Sequence, residues 1–110
     1  MTKTPIHAAA MAAALLLAAP AQADEAAQMA RGKELFSTAT PAACALCHTL
    51  KDAGAEGAIG PVLDELQPDA ARVARALRDG IGAMPSFKAT LSEADIAALA
   101  LYVSRASRMK

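Results

Sequence analysis

The sequence predicts a small all-α protein. Three segments carry apolar residues at helical spacing, Gly and Pro residues separate them, and no stretch alternates apolar and polar residues for long enough to predict a strand. With 110 residues the chain is one small domain at most, which excludes a multidomain enzyme. Its 11 Lys and Arg residues balance 11 Asp and Glu residues, so the composition indicates no basic surface for nucleic acid.

Residues 1–23 have the pattern of a secretory signal peptide. The amino-terminal end is positive, residues 8–19 form an uncharged apolar run, and residues 21–23 (Ala-Gln-Ala) match a small-x-small cleavage pattern. A membrane-spanning helix needs about 20 apolar residues, which this interrupted run does not supply. We expect cleavage after Ala23, export to a bacterial periplasm, and a mature domain of residues 24–110 without a membrane span.

The first helix of the mature domain is predicted over residues 24–36. Gly32 lies in its interior, where glycine costs about 1 kcal/mol relative to alanine. We therefore expect Gly32 to allow the close approach of another backbone. Four residues are predicted along one side of this helix: Ala26, Met29, the stem of Lys33, and Phe36.

A second helix is predicted over residues 68–79, with a proline tolerated in its first turn and Gly80 as its C-terminal cap. Val73 and Leu77 are spaced to lie on one apolar side. Three arginines occupy the other side, which we interpret as a solvated face: Arg72, Arg75 and Arg78.

The third helix has the clearest start. Ser92 is the expected N-cap, with Glu93 and Asp95 in the first turn, where negative charge complements the helix dipole. Leu91 and Ile96 are spaced to form a hydrophobic contact around this cap. The apolar side and the basic C-terminal end then follow in order: Leu99, Val103, Arg105, Arg108 and Lys110.

Two cysteines and a histidine form the motif with the most specific chemistry, Cys44-x-x-Cys47-His48. The two thiols have the spacing for thioether bonds to haem, and the adjacent imidazole reaches the iron. Such a large apolar cofactor would also complete the core of a chain that is short and rich in alanine.

Three other interpretations of this motif are weaker. A zinc site needs about four N or S ligands, whereas residues 24–110 hold two Cys and one His besides carboxylates. A thioredoxin-like dithiol lacks its βαβ context, and a local disulfide would close only a tiny loop. Covalent haem is therefore favoured.

The axial ligands of the iron follow partly by elimination. His48 is the only histidine of residues 24–110, so it is the expected imidazole ligand, and a second imidazole from this chain is excluded. Met29, Met84, Met109, a lysine, the terminal amine, water or no ligand remain for the other position. Met84 is favoured, because the Gly and Pro residues of segment 80–85 predict an irregular loop that presents the thioether. The alternative is a Met84 that only fills core space.

These features resemble a class I cytochrome c over essentially all of the mature chain. The resemblance rests on Cys44 to His48 near the mature N-terminus, Gly60-Pro61-Val62-Leu63 in the middle, and Met84-Pro85 before a terminal helix. It implies three to five helices wrapped around one haem c, bound covalently through Cys44 and Cys47. It implies that the Pro61 carbonyl orients the His48 imidazole. It also implies a crossing of the first and last helices at four residues: Gly32, Phe36, Leu99 and Tyr102.

The function that the resemblance implies is one-electron transfer, with iron held by His48 and Met84 and no catalytic residue in the protein. Segment 80–87 resembles short periplasmic cytochromes that serve as subunits or acceptors of sulfite dehydrogenases. The expected partners are redox proteins, whether the protein is a free carrier or a fixed subunit of a dehydrogenase complex. A haem sensor or peroxidase with an open iron site is the other alternative. The Trp that meets a haem propionate in this family is absent, and three candidates stay open: Tyr102, Arg72 and Lys51.

Overall fold

The computed structural model describes residues 1–4 and 19–110, with side chains at 1–4 and from 24 onward. Most of the predicted signal peptide, residues 5–18, lies outside the described residues. Five α-helices, two short strands and one 3-10 turn follow in this order: α1 Ala19–Thr38, α2 Cys44–Cys47, β1 Thr49–Leu50, the 3-10 turn Lys51–Ala53, β2 Ala55–Glu56, α3 Leu63–Leu66, α4 Ala70–Asp79 and α5 Glu93–Ala106. Within these described ranges, no helix is both long and apolar enough to cross a membrane.

The all-α prediction is confirmed, and the chain also contains one short strand pair that the sequence did not predict. β1 and β2 pair antiparallel, with Thr49 opposite Glu56 and Leu50 opposite Ala55. Two residues per strand are too few to show an alternating pattern, so the sequence carries no signal for this pair. Its effect is to fold the chain after α2 back on itself.

The first and last long helices cross, as predicted, and Gly32 lies at the crossing. A Cβ atom on Gly32 would lie 2.5 Å from the Cβ of Tyr102, so only glycine allows this approach. The rings of Phe36 and Tyr102 meet edge to face, with centroids 6.1 Å apart and planes at 66°.

The buried side of α1 agrees with the predicted one in part. Phe36 is fully buried and Met29 packs against the core, as predicted, whereas Ala26 and Lys33 are exposed. The buried residues at the end of α1 and just after it follow the i, i+3, i+4, i+7 spacing that starts at the glycine: Gly32, Leu35, Phe36 and Ala39. The helix crosses its partner at its C-terminal half, so its first turns carry little apolar contact.

Helix α4 begins two residues later than predicted. Asp69 is its N-cap, and the side-chain carboxylate of Asp69 accepts a hydrogen bond from the backbone N–H of Arg72 at 2.8 Å. Pro68 therefore precedes the helix rather than opening it. The predicted C-terminal end is confirmed, since Gly80 caps α4 with a φ of 71°.

The predicted start of α5 is confirmed and its end is wrong. The hydroxyl of Ser92 accepts a hydrogen bond from the backbone N–H of Asp95 at 3.1 Å. The helix ends at Ala106, and beyond this end the Arg108 guanidinium donates to the Gln67 carbonyl at 2.6 Å. This bond holds the chain end against the segment between α3 and α4.

Candidate functional site

A cavity of about 320 Å³ lies beside the α1–α5 crossing, within the range of about 300–1,000 Å³ that ligand and cofactor pockets have. Its walls come from α2, the segment before α3, α4 and the loop that follows α4. Most of the lining is apolar, and the larger lining side chains are Phe36, Ile59, Leu63, Leu66, Val73, Leu77, Ile81, Phe87, Leu99 and Val103. A partly open, mostly apolar space of this size, lined by core residues of a small domain, indicates a large apolar ligand.

Both cysteines of the motif line this cavity as free thiols, one at each end of the single turn α2. Burial raises the pKa of the Cys44 thiol to about 11. A thiol with a raised pKa is a poor nucleophile near neutral pH, which argues against thioredoxin-like chemistry. The pair instead presents two sulfurs to an apolar space.

His48 follows α2 and also lines the cavity. One of its ring nitrogens, Nδ1, lies 2.8 Å from the backbone oxygen of Pro61. A carbonyl oxygen only accepts hydrogen bonds, so Nδ1 carries the proton and Nε2 is the nitrogen that can bind a metal. The contact that the resemblance implies for Pro61 is therefore present.

Glycine at position 60 makes room for this ring. A Cβ atom on Gly60 would lie 2.6 Å from Cε1 and 2.9 Å from Nδ1 of His48. The backbone N–H of Gly60 donates to the Cys47 carbonyl at 2.6 Å, which closes the loop back onto the motif. The segment before α3 thus positions the imidazole in two ways: the Pro61 carbonyl accepts its hydrogen bond, and Gly60 leaves room for its ring.

The hairpin between His48 and Pro61 is anchored to the helix crossing by a contact that the sequence did not predict. The Tyr102 hydroxyl donates to the Asp52 carboxylate at 2.7 Å, and the Lys33 ammonium lies 3.6 Å from the same oxygen. Burial and the hydrogen bond to Asp52 raise the pKa of Tyr102 above its ordinary value. Asp52 lies in a loop 50 residues away from Tyr102, so no local pattern pairs them.

Met84 lies in a tight turn after α4 and lines the same cavity, partly buried against the core. The backbones of Ile81 and Met84 exchange two hydrogen bonds, of 3.0 and 2.8 Å. Gly82 has a φ of 53°, and a Cβ on Gly80 would lie 2.8 Å from the Met84 carbonyl oxygen. The glycines are thus required for the turn that brings the thioether to the cavity.

The residues at the cavity fit a covalently attached haem. The cavity presents two free thiols for covalent attachment of haem. It also presents two groups that can ligate iron, an imidazole with one nitrogen held by a carbonyl and a thioether. The apolar lining suits the apolar faces of the haem ring. The cavity residues do not fit zinc: in the part of the chain that the structure describes, no three His, Cys, Asp or Glu side chains are grouped to hold a metal ion. The fold and the site therefore define a c-type cytochrome domain.

Comparison with known proteins agrees with this class. A family profile described as cytochrome C oxidase, cbb3-type, subunit III matches residues 27–103, so the chain belongs to this family. The chain is similar to the crystal structure of the c-type cytochrome SorU from Sinorhizobium meliloti, at 51% identity and a TM-score of 0.69. The match covers 73% of this chain and 91% of that chain. No curated protein matches the sequence at a significant level.

The protein is thus an electron-transfer protein with haem c bound covalently through Cys44 and Cys47. When bound, haem supplies a one-electron Fe(III)/Fe(II) couple. The chain supplies the two sulfurs for attachment, an oriented imidazole, and a cavity with a mostly apolar lining. Its partners are redox proteins.

Proposed function

We propose that this protein carries single electrons in the periplasm, with the iron ligated by Nε2 of His48 and by the thioether of Met84. The observation that supports this proposal most directly is that both side chains line one cavity while coming from separately braced segments. His48 is held by the Pro61 carbonyl, and Met84 by the paired turn with Ile81. Neither ligand depends on the other for its position.

Ligation by both residues leaves no open coordination position at iron. A closed site favours electron transfer over the binding of gases or peroxide. A thioether ligand favours Fe(II) relative to a second imidazole, and exclusion of water by the apolar cavity acts in the same direction. We therefore expect a carrier of relatively high reduction potential.

The periplasmic location rests on the predicted signal peptide. Cleavage after Ala23 would shorten α1 by five residues, so that it begins at Asp24. Among the described side chains, the contacts of α1 with α5 begin further along, with the ion pair between Glu25 and Arg105. The family match also begins after the cleavage point, at residue 27. Removal of residues 1–23 is therefore compatible with the contacts that hold α1.

The absorption spectrum of the haem-loaded protein tests the proposed ligation. We expect a c-type spectrum with a far-red sulfur-to-iron band in the oxidised state, and no change when CO is added to the reduced state. The physical reason is that CO needs an open position at iron. A spectrum that shifts with CO, or that lacks the far-red band, would contradict ligation by Met84 and favour the sensor or peroxidase alternative.

We further propose that the electron donor is a sulfite dehydrogenase, on the basis of the resemblance of segment 80–87. Two exposed apolar residues line the cavity, Ile59 (77% exposed) and Ile81 (66%), and the exposed Leu46 (66%) lies between the two cysteines that line it. Such a patch favours a small transient interface that forms through apolar contact. Leu46 lies between the two attachment cysteines, where we expect the haem edge to be exposed to a donor.

Replacement of Leu46 by Gln tests this docking surface. We expect kcat/KM for reduction by a sulfite dehydrogenase with sulfite to fall several-fold, because the interface loses apolar contact, with the midpoint potential unchanged. Met109→Gln is the matched control, since Met109 is also exposed, at 55%, but borders a separate groove near the chain end rather than the attachment cysteines. Equal rates for both variants would argue against docking at Leu46, and no reduction of the unmodified protein would argue against this donor.

A further inference from the structure

Residues 48–61 form a loop, which we call the imidazole loop, that begins with the His48 imidazole and ends with the Pro61 carbonyl. Nδ1 of His48 lies 2.8 Å from that carbonyl oxygen. A motion that separates the two ends of the loop would break this hydrogen bond. The position of the imidazole therefore depends on what holds the imidazole loop closed.

Hydrogen bonds within the imidazole loop fix its shape. The Gly57 N–H donates to the His48 carbonyl at 3.2 Å, and the Thr49 hydroxyl donates to the Gly57 carbonyl at 2.9 Å. The pair of β1 and β2 has only two residues in each strand, and a two-stranded hairpin is at best marginally stable in water. The imidazole loop therefore needs contacts with the helices to stay closed.

Asp52, in the turn at the tip of this hairpin, contacts both helices of the α1–α5 crossing. Its Oδ2 accepts the Tyr102 hydroxyl at 2.7 Å and lies 3.6 Å from the Lys33 ammonium. Tyr102 is 1% exposed, so water competes poorly for this hydroxyl. On the other side of the turn, the Lys51 N–H donates to the Asp64 carboxylate of α3 at 3.0 Å. Contacts with three helices thus hold the tip of the hairpin.

We propose that Asp52 is a positioning residue for the His48 imidazole. By accepting the hydrogen bond from Tyr102, Asp52 holds the imidazole loop closed and keeps Nδ1 bonded to the Pro61 oxygen. A hydrogen bond to a carboxylate is stronger than one between neutral groups, and a buried hydroxyl without a partner is unfavourable, so the contact favours the closed loop. The bond to Pro61 in turn fixes the ring and makes Nε2 a more basic ligand. The proposal rests on ligation of iron by His48 and not on the identity of the sixth ligand.

Exchange of the His48 Nδ1 proton with solvent, followed by NMR in the reduced haem-loaded protein, tests this role. CO is added so that the iron is diamagnetic whether or not a protein side chain is its sixth ligand. The proton exchanges only when its bond to Pro61 opens. Tyr102→Phe removes the hydroxyl and keeps the ring that packs against Phe36. We expect this variant to accelerate the exchange at least about tenfold, because a hydrogen bond to a charged group stabilises the closed state by that factor or more.

Two substitutions at Asp52 separate its hydrogen bond from its charge. Asp52→Ala removes the acceptor and should exchange about as fast as Tyr102→Phe. Asp52→Asn keeps a side-chain oxygen that can accept from Tyr102, so it should retain most of the protection of the Nδ1 proton. Asp52→Ala combined with Tyr102→Phe should exchange no faster than either single variant, because both changes remove the same contact.

Asp95→Asn is the matched control. The Asp95 carboxylate also joins α1 to α5, through Arg31 at 3.2 Å, and its side-chain hydrogen bonds among the described residues do not involve the imidazole loop. We expect the Nδ1 proton of this variant to exchange at the rate of the unmodified protein. Unchanged exchange in Tyr102→Phe, or equal acceleration in Asp95→Asn, would overturn the proposal.

A failure of the ligation itself has a different signature. If Nε2 binds iron, the ring current of haem should strongly shift the resonances of the His48 ring protons in the unmodified protein. Unshifted resonances would contradict ligation by His48, and with it this role of Asp52. Shifted resonances together with unchanged exchange in Tyr102→Phe would refute the role of Asp52 alone.

Discussion

Replacement of Cys44 and Cys47 together by serine is expected to leave a chain without a cooperative fold. The cofactor cavity of about 320 Å³ is large for a domain of this size, and its walls include core residues such as Phe36, Leu77 and Leu99. At about 24 cal/mol per Å³, a closed, empty cavity of this volume would cost about 8 kcal/mol, and this partly open one would instead expose its apolar walls to water. The whole stability of a domain is about 5–15 kcal/mol. Collapse of the walls would lower that cost only by abandoning the native packing.

Thermal unfolding followed by circular dichroism measures this effect. The double variant should show a broad, non-cooperative transition, whereas the haem-loaded protein should melt sharply. The control is the unmodified chain produced without haem attachment, which should behave like the double variant because both lack the same core component. A sharp transition in the double variant would show that the remaining core is sufficient on its own, contrary to the role assigned to the cavity.

Loss of the Met84 thioether should produce the second large effect. We expect Met84→Ala to keep haem attached through Cys44 and Cys47, to bind CO in the reduced state, and to have a much lower midpoint potential. Axial ligands set haem potentials over a span of about 0.8 V, so the loss of one ligand is expected to move the potential by a measurable part of that range. Potentiometric titration and CO difference spectra measure the two effects.

A second substitution separates ligation from packing. Met84→Leu keeps nearly the same apolar volume but cannot bind iron, so it should reproduce the CO binding and the lowered potential with less loss of stability. Met109→Leu removes a thioether that is exposed and lies outside the cavity, and it should change neither property. An unchanged potential in both Met84 variants would refute the assignment of Met84 as ligand.

Several elements of the fold could be predicted because their signals are local. The Ser92 cap and the acidic first turn mark the start of α5, and Gly80 marks the end of α4. Both signals rest on backbone hydrogen bonds within a few residues, which the sequence encodes directly. The start of α4 was predicted wrongly, because the cap at Asp69 places Pro68 before the helix. The buried side of α1 was predicted only in part, because the point at which α1 crosses α5 depends on long-range packing.

The candidate site shows the same division. The sequence by itself determined which residues have the chemistry, since the spacing of Cys44, Cys47 and His48 and the scarcity of other ligands leave few choices. Only the tertiary structure decided how they are supported: the His48 imidazole by Pro61, and the hairpin by Asp52 and Tyr102. Motif chemistry depends on short spacings along the chain, whereas a hydrogen bond between residues 50 apart depends on how the helices pack.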